Sequence, residues 1–347
     1  NFIGQKVTDH HWLSGTDLAF ELLDDKGEIV RRRYSAALDH VTVLQPGKWP
    51  ASTPSWPSGV EISGDVGPQI PLSPDGRYGV KKDGPNLVLI DMQTGQQRAL
   101  TTDGAKDYVY GDGVVLAWSG QVDVQKFGMT VPPSLLWSPN SRYILTFIAD
   151  TRRVREKTYT TSVSGSDGSP DFKVYNARHA MAGDANLASS KFVVIDIKKD
   201  TVIPLDLPLE NLKSGDPLRE GNAVWNSDSS SVYISFGDLI ERNAFIFRYE
   251  VRNNKVSTAW HEQAVFAGHW RDSGQLHLIG HNRLARPADV DGYRHLLSID
   301  GTGRSEPVQL THGKLYVRDV LGADEAWIYF TAAVIDNAVD PYLYQLY

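Results

Sequence analysis

The stretch "LSPDGRYGVKKDGPNLVLIDMQTGQQRALT", residues 72–101, predicts a small antiparallel meander of three strands. The run from Ser73 to Gly76 favours a tight turn, because Pro presets the first central position and Asp and Gly tolerate the backbone angles that follow. Residues 77–82 and 87–92 have the aromatic, β-branched and aliphatic content of strands, and the turn residues 83–86 connect them as a hairpin. A second turn at Thr94-Gly95 leads into a third strand over 97–100.

The opening of this unit recurs along the chain. The related stretches are "LSGTDLAFEL" from Leu13, "SPNSRYIL" (138–145), "NSDSSSVYIS" (226–235), "RDSGQLHLIG" (271–280) and "GADEAWIYF" (322–330). Successive copies are 65, 88, 44 and 52 residues apart when they are aligned on one turn residue, which is Asp75, Asn140, Asp228, Asp272 and Asp324 in turn. Antiparallel units of about 40 to 50 residues are typical of a β-propeller, and the longer intervals require insertions.

The sequence therefore predicts an all-β fold, the larger part of a seven- or eight-bladed β-propeller, with residues 1–347 as one propeller domain. A single small sheet cannot bury its own apolar surface, so each blade must pack on its neighbour. We expect four tryptophans, Trp137, Trp225, Trp270 and Trp327, in the core between blades. Aspartates that follow apolar strands, such as Asp91, Asp196 and Asp300, are explained by turn chemistry.

One segment interrupts the repeats. Residues 151–190 are polar, rich in Gly and Ser in the middle and basic at the start, and we predict a polar insertion loop there. An excursion of this length inside a repeat array is either a solvated loop or a functional segment, and the sequence leaves both open.

Composition excludes several classes of protein. The net charge is −7, the isoelectric point is near 5.8 and basic runs such as 152–155 are short, which argues against a nucleic-acid partner. No apolar run approaches the roughly 18 residues of a membrane span. Without cysteine there is no thiol nucleophile. Pairs such as His10-His11 and His277/His281 are better explained as structural histidines than as metal ligands, so we expect no metal and no cofactor. Since Asn1 is not Met, we expect a processed N-terminus and a periplasmic or secreted protein.

The ordered motifs carry a family resemblance. They are "LSPDGRY…LVLIDMQTG…LT", "DYVYGDG", "LLWSPNSRYILTF", "MAGDANLASSKFVVIDI" and "DGYRHLLSIDG…VQLTHGKLYVRDVLGADEAWIYFTA…DPYLYQLY". Over roughly residues 70–347 the chain resembles the N-terminal propeller of dipeptidyl peptidase IV-type enzymes, which are serine peptidases of the prolyl oligopeptidase family. The resemblance implies an eight-bladed propeller that caps a C-terminal α/β-hydrolase domain.

The hydrolase half is expected to lie outside this chain. No Gly-x-Ser-x-Gly nucleophile elbow occurs here, and "SVSGSDGS" (162–169) lacks the strand-to-helix context of that motif. We therefore predict no catalytic residue in this chain. The chain is expected to be a propeller fragment, or one product of a cleaved enzyme.

The resemblance also implies where a substrate would bind. In dipeptidyl peptidases, two adjacent glutamates after a "WVY"-like motif hold the free substrate amine; two carboxylates suit a buried ammonium, which must be paired. The matching run is 107–113, in which Gly111 and Asp112 replace the glutamates and about a dozen extra residues precede Trp137. The candidate substrate-binding residues are Asp112 and Tyr110.

Three functions remain open. The first is the substrate-gating propeller of a prolyl oligopeptidase-family serine peptidase, with a peptide substrate and the α/β-hydrolase domain as partners. The second is a lasso-peptide isopeptidase of that family, whose threaded, N-terminally blocked substrate has no use for an amine clamp. The third is a non-catalytic propeller that binds a protein or ligand. No nucleic acid or membrane is expected as a partner, and a homodimer stays open.

Overall fold

The computed structural model describes residues 7–14, 17–23, 29–35, 40–43, 70–164, 170–207, 217–218, 221–237, 243–263, 276–323, 327–334 and 344–347. The chain divides into two compact units, one formed by Asn1–Val60 with Ser273–Tyr347 and the other by Glu61–Asp272. Within the described ranges, antiparallel strands dominate and the helices are one α-helix and one short 3-10 helix. The predicted all-β class is confirmed.

In chain order, the strands of the first half are β1 (Val7–Ser14), β2 (Asp17–Leu23), β3 (Ile29–Ser35), β4 (His40–Val43), β5 (Tyr78–Asp83), β6 (Asn86–Asp91), β7 (Gln97–Ala99), β8 (Tyr108–Tyr110), β9 (Leu136–Trp137), β10 (Tyr143–Asp150), β11 (Glu156–Ser164) and β12 (Pro170–Arg178). Those of the second half are β13 (Ser189–Asp196), β14 (Thr201–Pro204), β15 (Ala223–Trp225), β16 (Ser231–Gly237), β17 (Asn243–Glu250), β18 (Lys255–Gln263), β19 (His277–Leu278), β20 (Arg283–Val290), β21 (Tyr293–Asp300), β22 (Val308–Gln309), β23 (Leu315–Ala323), β24 (Ile328–Val334) and β25 (Gln345–Leu346). A 3-10 helix, η1 (Val114–Leu116), and the helix α1 (Trp118–Phe127) lie between β8 and β9.

The strands form small sheets in which neighbours in sequence pair with each other. In the unit Glu61–Asp272, the sheet orders are β5-β6-β7, β14-β13-β10-β8 with β9 also on β10, β11-β12, and β15-β16-β17-β18. In the other unit they are β1-β2-β3-β4 and β19-β20-β21-β23-β24-β25 with β22 also on β21. The meander predicted for residues 72–101 is confirmed, since β5, β6 and β7 lie within one or two residues of the expected strands.

The repeated turns share a backbone conformation and a hydrogen bond. Equivalent positions in three repeats, Gly76, Ser141 and Ser229, have left-handed φ angles of 69°, 58° and 61°. Ser141 Oγ accepts a hydrogen bond from Asp75 N of the preceding repeat (3.1 Å), and Ser229 Oγ accepts one from Asn140 N (3.0 Å). A serine can hold this strained position because its hydroxyl links one repeat to the next, which glycine could not do. The turns of the last two repeats, around 272 and 324, lie outside the described residues.

Two of the four tryptophans are confirmed as core between sheets. Trp137 and Trp225 are 8% and 4% exposed, and Trp225 stacks on Tyr143 with ring centroids 6.0 Å apart. Each indole N–H donates to a backbone oxygen of the preceding repeat: Trp137 to Pro71 O (3.4 Å) and Trp225 to Leu136 O (3.2 Å). These contacts join the β5–β7 sheet to the β10 sheet, and the β10 sheet to the β15–β18 sheet.

The prediction for Trp327 is wrong, because this side chain is 67% exposed. Ala323 pairs with Ile328 at the end of the β23–β24 ladder, so Trp327 lies beyond the last pair that would orient its side chain toward the core. Trp270 lies outside the described residues.

The turn role of the three aspartates is confirmed. Asp91 accepts backbone hydrogen bonds from Gln93 and Thr94. Asp196 accepts them from residues 198 and 199, and Asp300 from residues 302 and 304. Each carboxylate therefore closes the hairpin that follows its own strand.

The segment 151–190 contains an ordered hairpin. β11 and β12 pair from Glu156↔Arg178 to Ser164↔Pro170, so the described part of the segment is largely a two-stranded extension, where the sequence suggested an irregular loop. Within the run 162–169, residues 162–164 form the end of β11, and β12 begins directly after the run at Pro170. Strands therefore flank the run, whereas a nucleophile elbow leads from a strand into a helix.

Candidate functional site

The edge strand of the β10 sheet is interrupted, and the interruption carries the candidate site. β8 pairs with residues 148–150 of β10, and β9 pairs with residues 144–145 of the same strand. The 111–135 segment, with η1 and α1, leaves the sheet between these two short strands. Ser134 N donates to Gly111 O (2.7 Å) and Gly111 N donates to Phe147 O (2.8 Å), which closes the neck of the segment.

Gly111 occupies a position that favours glycine. Its φ is +59°, in the left-handed region. A Cβ built there would lie 3.1 Å from both Ser134 O and Thr146 Oγ1. A glutamate at this position would be strained by the backbone angle and crowded by its neighbours. The backbone conformation and the close neighbours at this position therefore both favour glycine over glutamate.

Asp112 lies in an ion pair that the sequence did not reveal. Its Oδ2 is 2.8 Å from Lys82 Nζ, and its Oδ1 accepts a hydrogen bond from Val114 N (3.1 Å) at the start of η1. The two charged side chains are 19% and 20% exposed, so the pair is largely withdrawn from solvent. An internal ammonium thus already neutralises the one carboxylate at this position.

Tyr110 lies in the core beneath the site. The side chain is 2% exposed, and its hydroxyl donates to Asp103 Oδ1 (2.7 Å). Burial, together with the hydrogen bond to Asp103, raises the pKa of Tyr110 well above its ordinary value, so the hydroxyl stays protonated and acts as a donor. Tyr110 thus ends β8 and packs in the interior, and Asp112 follows two residues later in a largely withdrawn ion pair.

The helix α1 is fastened to the hairpin by two glutamines. Gln121 Nε2 donates to Arg178 O (3.0 Å) and its Oε1 accepts from Arg178 N (2.9 Å). One turn later, Gln125 makes the same pair of contacts with Asn176 at 2.7 and 3.4 Å. The two side-chain amides therefore occupy backbone groups along the outer edge of β12 as a neighbouring strand would.

Arg178 ties this hairpin to the start of β8. Its Nε lies 3.0 Å from Asp107 Oδ2, and its Nη1 donates to Val154 O (2.6 Å). Val122 of α1 packs with Tyr175 and Ala177 of β12 in a small buried cluster. The helix, the hairpin and the 107–113 run therefore form one connected structure. Nothing in the polar sequence of 118–127 signalled the helix, since only Val122 of its described side chains is buried.

The described residues hold no group of three His, Asp or Glu side chains that could bind a metal ion. Burial lowers the pKa of His277 to about 4, so this imidazole is neutral at physiological pH. His10 and His11 lie in β1, where their side chains are not described. No helix in the described part of the chain has the length and apolar character of a membrane span.

The chain matches a known protein family over most of its length. A protein family described as "Dipeptidyl peptidase IV (DPP IV) N-terminal region" matches residues 69–347. No curated protein sequence matches the chain.

Solved structures provide a second comparison. Dipeptidyl peptidase 4 of Porphyromonas gingivalis matches 94% of the chain with a TM-score of 0.57 at 14% identity. A protein of Bacteroides ovatus described as a "putative dipeptidyl aminopeptidase IV" matches 93% with a TM-score of 0.56, also at 14% identity. The chain spans 40% and 42% of their lengths. At this identity the likeness establishes the fold alone, and it confirms the β-propeller class predicted from the repeats.

Proposed function

Because the chain belongs to the family of dipeptidyl peptidase IV N-terminal regions, we propose that it is the substrate-gating propeller of a prolyl oligopeptidase-family serine peptidase. The observation that supports this most is the family match over residues 69–347, in a chain that spans about 40% of the length of its structural neighbours. The nucleophile and its triad partners then belong to an α/β-hydrolase domain outside this chain. None of the residues described above is assigned a catalytic role.

The residues of the candidate site favour a substrate that has no free amino terminus. A free-amine clamp needs carboxylates that are open to the substrate ammonium. Gly111 supplies no carboxylate, and the carboxylate of Asp112 is already paired with Lys82. Asp112 is proposed as the substrate-facing residue of this site, and Tyr110 as the buried side chain that supports it.

This feature favours a second candidate within the same family, a lasso-peptide isopeptidase. A threaded peptide whose amino terminus is consumed in an isopeptide bond presents no ammonium. Its affinity is therefore not reduced when Asp112 is neutralised by Lys82. A non-catalytic binding propeller is the third candidate. A longer reading frame with a Gly-x-Ser-x-Gly motif within about 250 residues downstream would eliminate it.

Kinetics on the full-length protein test the proposal. We expect kcat/KM values for Ala-Pro-p-nitroanilide and its N-acetylated form that agree within about threefold, because no clamp distinguishes them. A hundredfold preference for the free amine would contradict the blocked-substrate proposal. A full-length protein that cleaves no peptide or isopeptide and reacts with no serine-directed inhibitor would contradict the peptidase assignment itself.

A further inference from the structure

A second site is suggested by a cavity of about 430 Å³ where β10 ends and β13 begins. This volume falls within the range of small-molecule pockets, roughly 300–1,000 Å³. The polar side chains that line it are Asp150, Arg152, Arg153, Asn186, Ser189 and Lys191. Three of these are cations and one is an anion, in a chain whose overall net charge is −7. The cavity is therefore locally positive against an acidic background.

Arg152 lies at the wall of this cavity and contacts both a carboxylate and an aromatic ring. Its Nε and Nη2 donate to the two oxygens of Asp150 at 2.9 and 2.6 Å. Its Cζ lies 4.3 Å from the ring centroid of Tyr108, so the guanidinium also stacks on an aromatic face. Hydrogen bonds from Arg152 lower the pKa of Asp150, which keeps that carboxylate ionised and committed to Arg152. The only acidic side chain of the cavity is thus occupied.

The other two cations are neutralised less directly. Arg153 follows β10 and Lys191 lies in β13, and the charge of Lys191 contributes to the lowered pKa of Asp150. Among the described residues, the ion pair of Asp150 is made with Arg152. Arg152 adds N–H donors of its own, since a guanidinium has five and the bonds to Asp150 use two. The cavity therefore presents three cations and their donor groups against a single carboxylate, that of Asp150.

We propose that this cavity binds a carboxylate group of a peptide, either an acidic side chain or a C-terminal carboxylate. A carboxylate fits because guanidinium and ammonium groups make their strongest hydrogen bonds to it, and Asn186 and Ser189 add neutral polar groups. The choice of a peptide as the ligand rests on the proposed function.

The position of the cavity supports a peptide ligand. Tyr108, on which Arg152 stacks, begins β8, and the same strand leads directly into Gly111 and Asp112. Tyr108 and Asp112 are four positions apart in sequence, and the chain turns between them at Gly111, whose φ is +59°. The cavity therefore lies beside the strand that leads into the candidate substrate-binding run.

Calorimetry on the full-length protein, inactivated beforehand with a fluorophosphonate, tests this site. The probes are three peptides: acetyl-Ala-Ala-Glu-amide, acetyl-Ala-Ala-Gln-amide and acetyl-Ala-Ala-Ala with a free C-terminus. We expect at least one carboxylate peptide to bind roughly tenfold more tightly than the Gln peptide, since each exposed ion pair contributes at most about fivefold. Which of the two binds identifies the source of the carboxylate.

The variant Arg153→Gln/Lys191→Gln should abolish that difference. The matched control Lys199→Gln/Lys255→Gln, which removes two exposed lysines elsewhere, should retain it. Equal binding of all three peptides, an equal loss in the control, or competition by inorganic phosphate at the same affinity would each overturn the site. Because the measurement reads binding and not hydrolysis, its failure would overturn this site and leave the peptidase assignment to the kinetic test.

Discussion

Replacing Lys82 with methionine should create a preference for free-amine substrates in the full-length protein. The substitution keeps most of the aliphatic length and removes the ammonium that lies 2.8 Å from Asp112 Oδ2. Both side chains are about one-fifth exposed, so the contact lies between a surface ion pair and a buried charge-assisted hydrogen bond. A substrate ammonium that replaces Lys82 should regain about 1–2 kcal/mol, which corresponds to roughly 5- to 30-fold in kcat/KM.

The assay measures kcat/KM for Ala-Pro-p-nitroanilide and its acetylated form in wild type and Lys82→Met. Lys81→Met is the matched control, because adjacent residues of β5 point to opposite faces of the strand. The double variant Lys82→Met/Asp112→Asn should return the ratio to the wild-type value. An unchanged ratio in Lys82→Met would refute the argument that Lys82 neutralises this site.

Three further outcomes are expected. Circular dichroism of the 347-residue chain should be dominated by strand, and more than about a fifth helix would contradict the propeller assignment. In urea unfolding, Ser229→Ala should lower the free energy of unfolding by about 1 kcal/mol, because the hydrogen bond from Asn140 N is lost. Ser229→Gly loses the same bond but relieves the left-handed backbone strain, so its free energy of unfolding should stay near wild type. Equal losses in the two variants would disprove the strain argument. Burial acts to raise the pKa of Asp196, but hydrogen bonds from Arg142 and the backbone lower it overall. Ionised Asp196 therefore stabilises the fold above its unfolded pKa of about 3.9, and this stabilisation is lost as pH falls through the lowered folded pKa. Asp196→Asn should lower the free energy of unfolding by about 1–3 kcal/mol at pH 6, and this difference from wild type should shrink toward pH 3.

The repeated turns were predictable because their chemistry is local. Pro74 and Gly76 set the first turn within four residues, and related polar turn residues return at 138–141 (Ser-Pro-Asn-Ser) and 226–229 (Asn-Ser-Asp-Ser). The bonds that join one repeat to the next, from Asp75 N to Ser141 and from Asn140 N to Ser229, use the same turn positions. A sequence pattern can therefore locate the contacts between sheets as well as the strands.

The candidate site was predictable only in part. The run 107–113 could be located by its resemblance to a motif, but the ion pair joins Asp112 to a lysine thirty positions earlier on another sheet. No local pattern encodes such a pair. The helix α1 escaped prediction for a similar reason, because Gln121 and Gln125 hold it against β12 through polar contacts that leave no apolar periodicity.

The most direct test of the account is to map fluorophosphonate labelling on the full-length protein. After reaction, proteolysis and mass spectrometry should find one labelled serine, located outside residues 1–347, because this chain has neither a nucleophile elbow nor a thiol. Intact mass should rise by a single adduct. Stoichiometric labelling of a serine within residues 1–347, or no labelling anywhere in the protein, would contradict the assignment of this chain as the propeller of a serine peptidase.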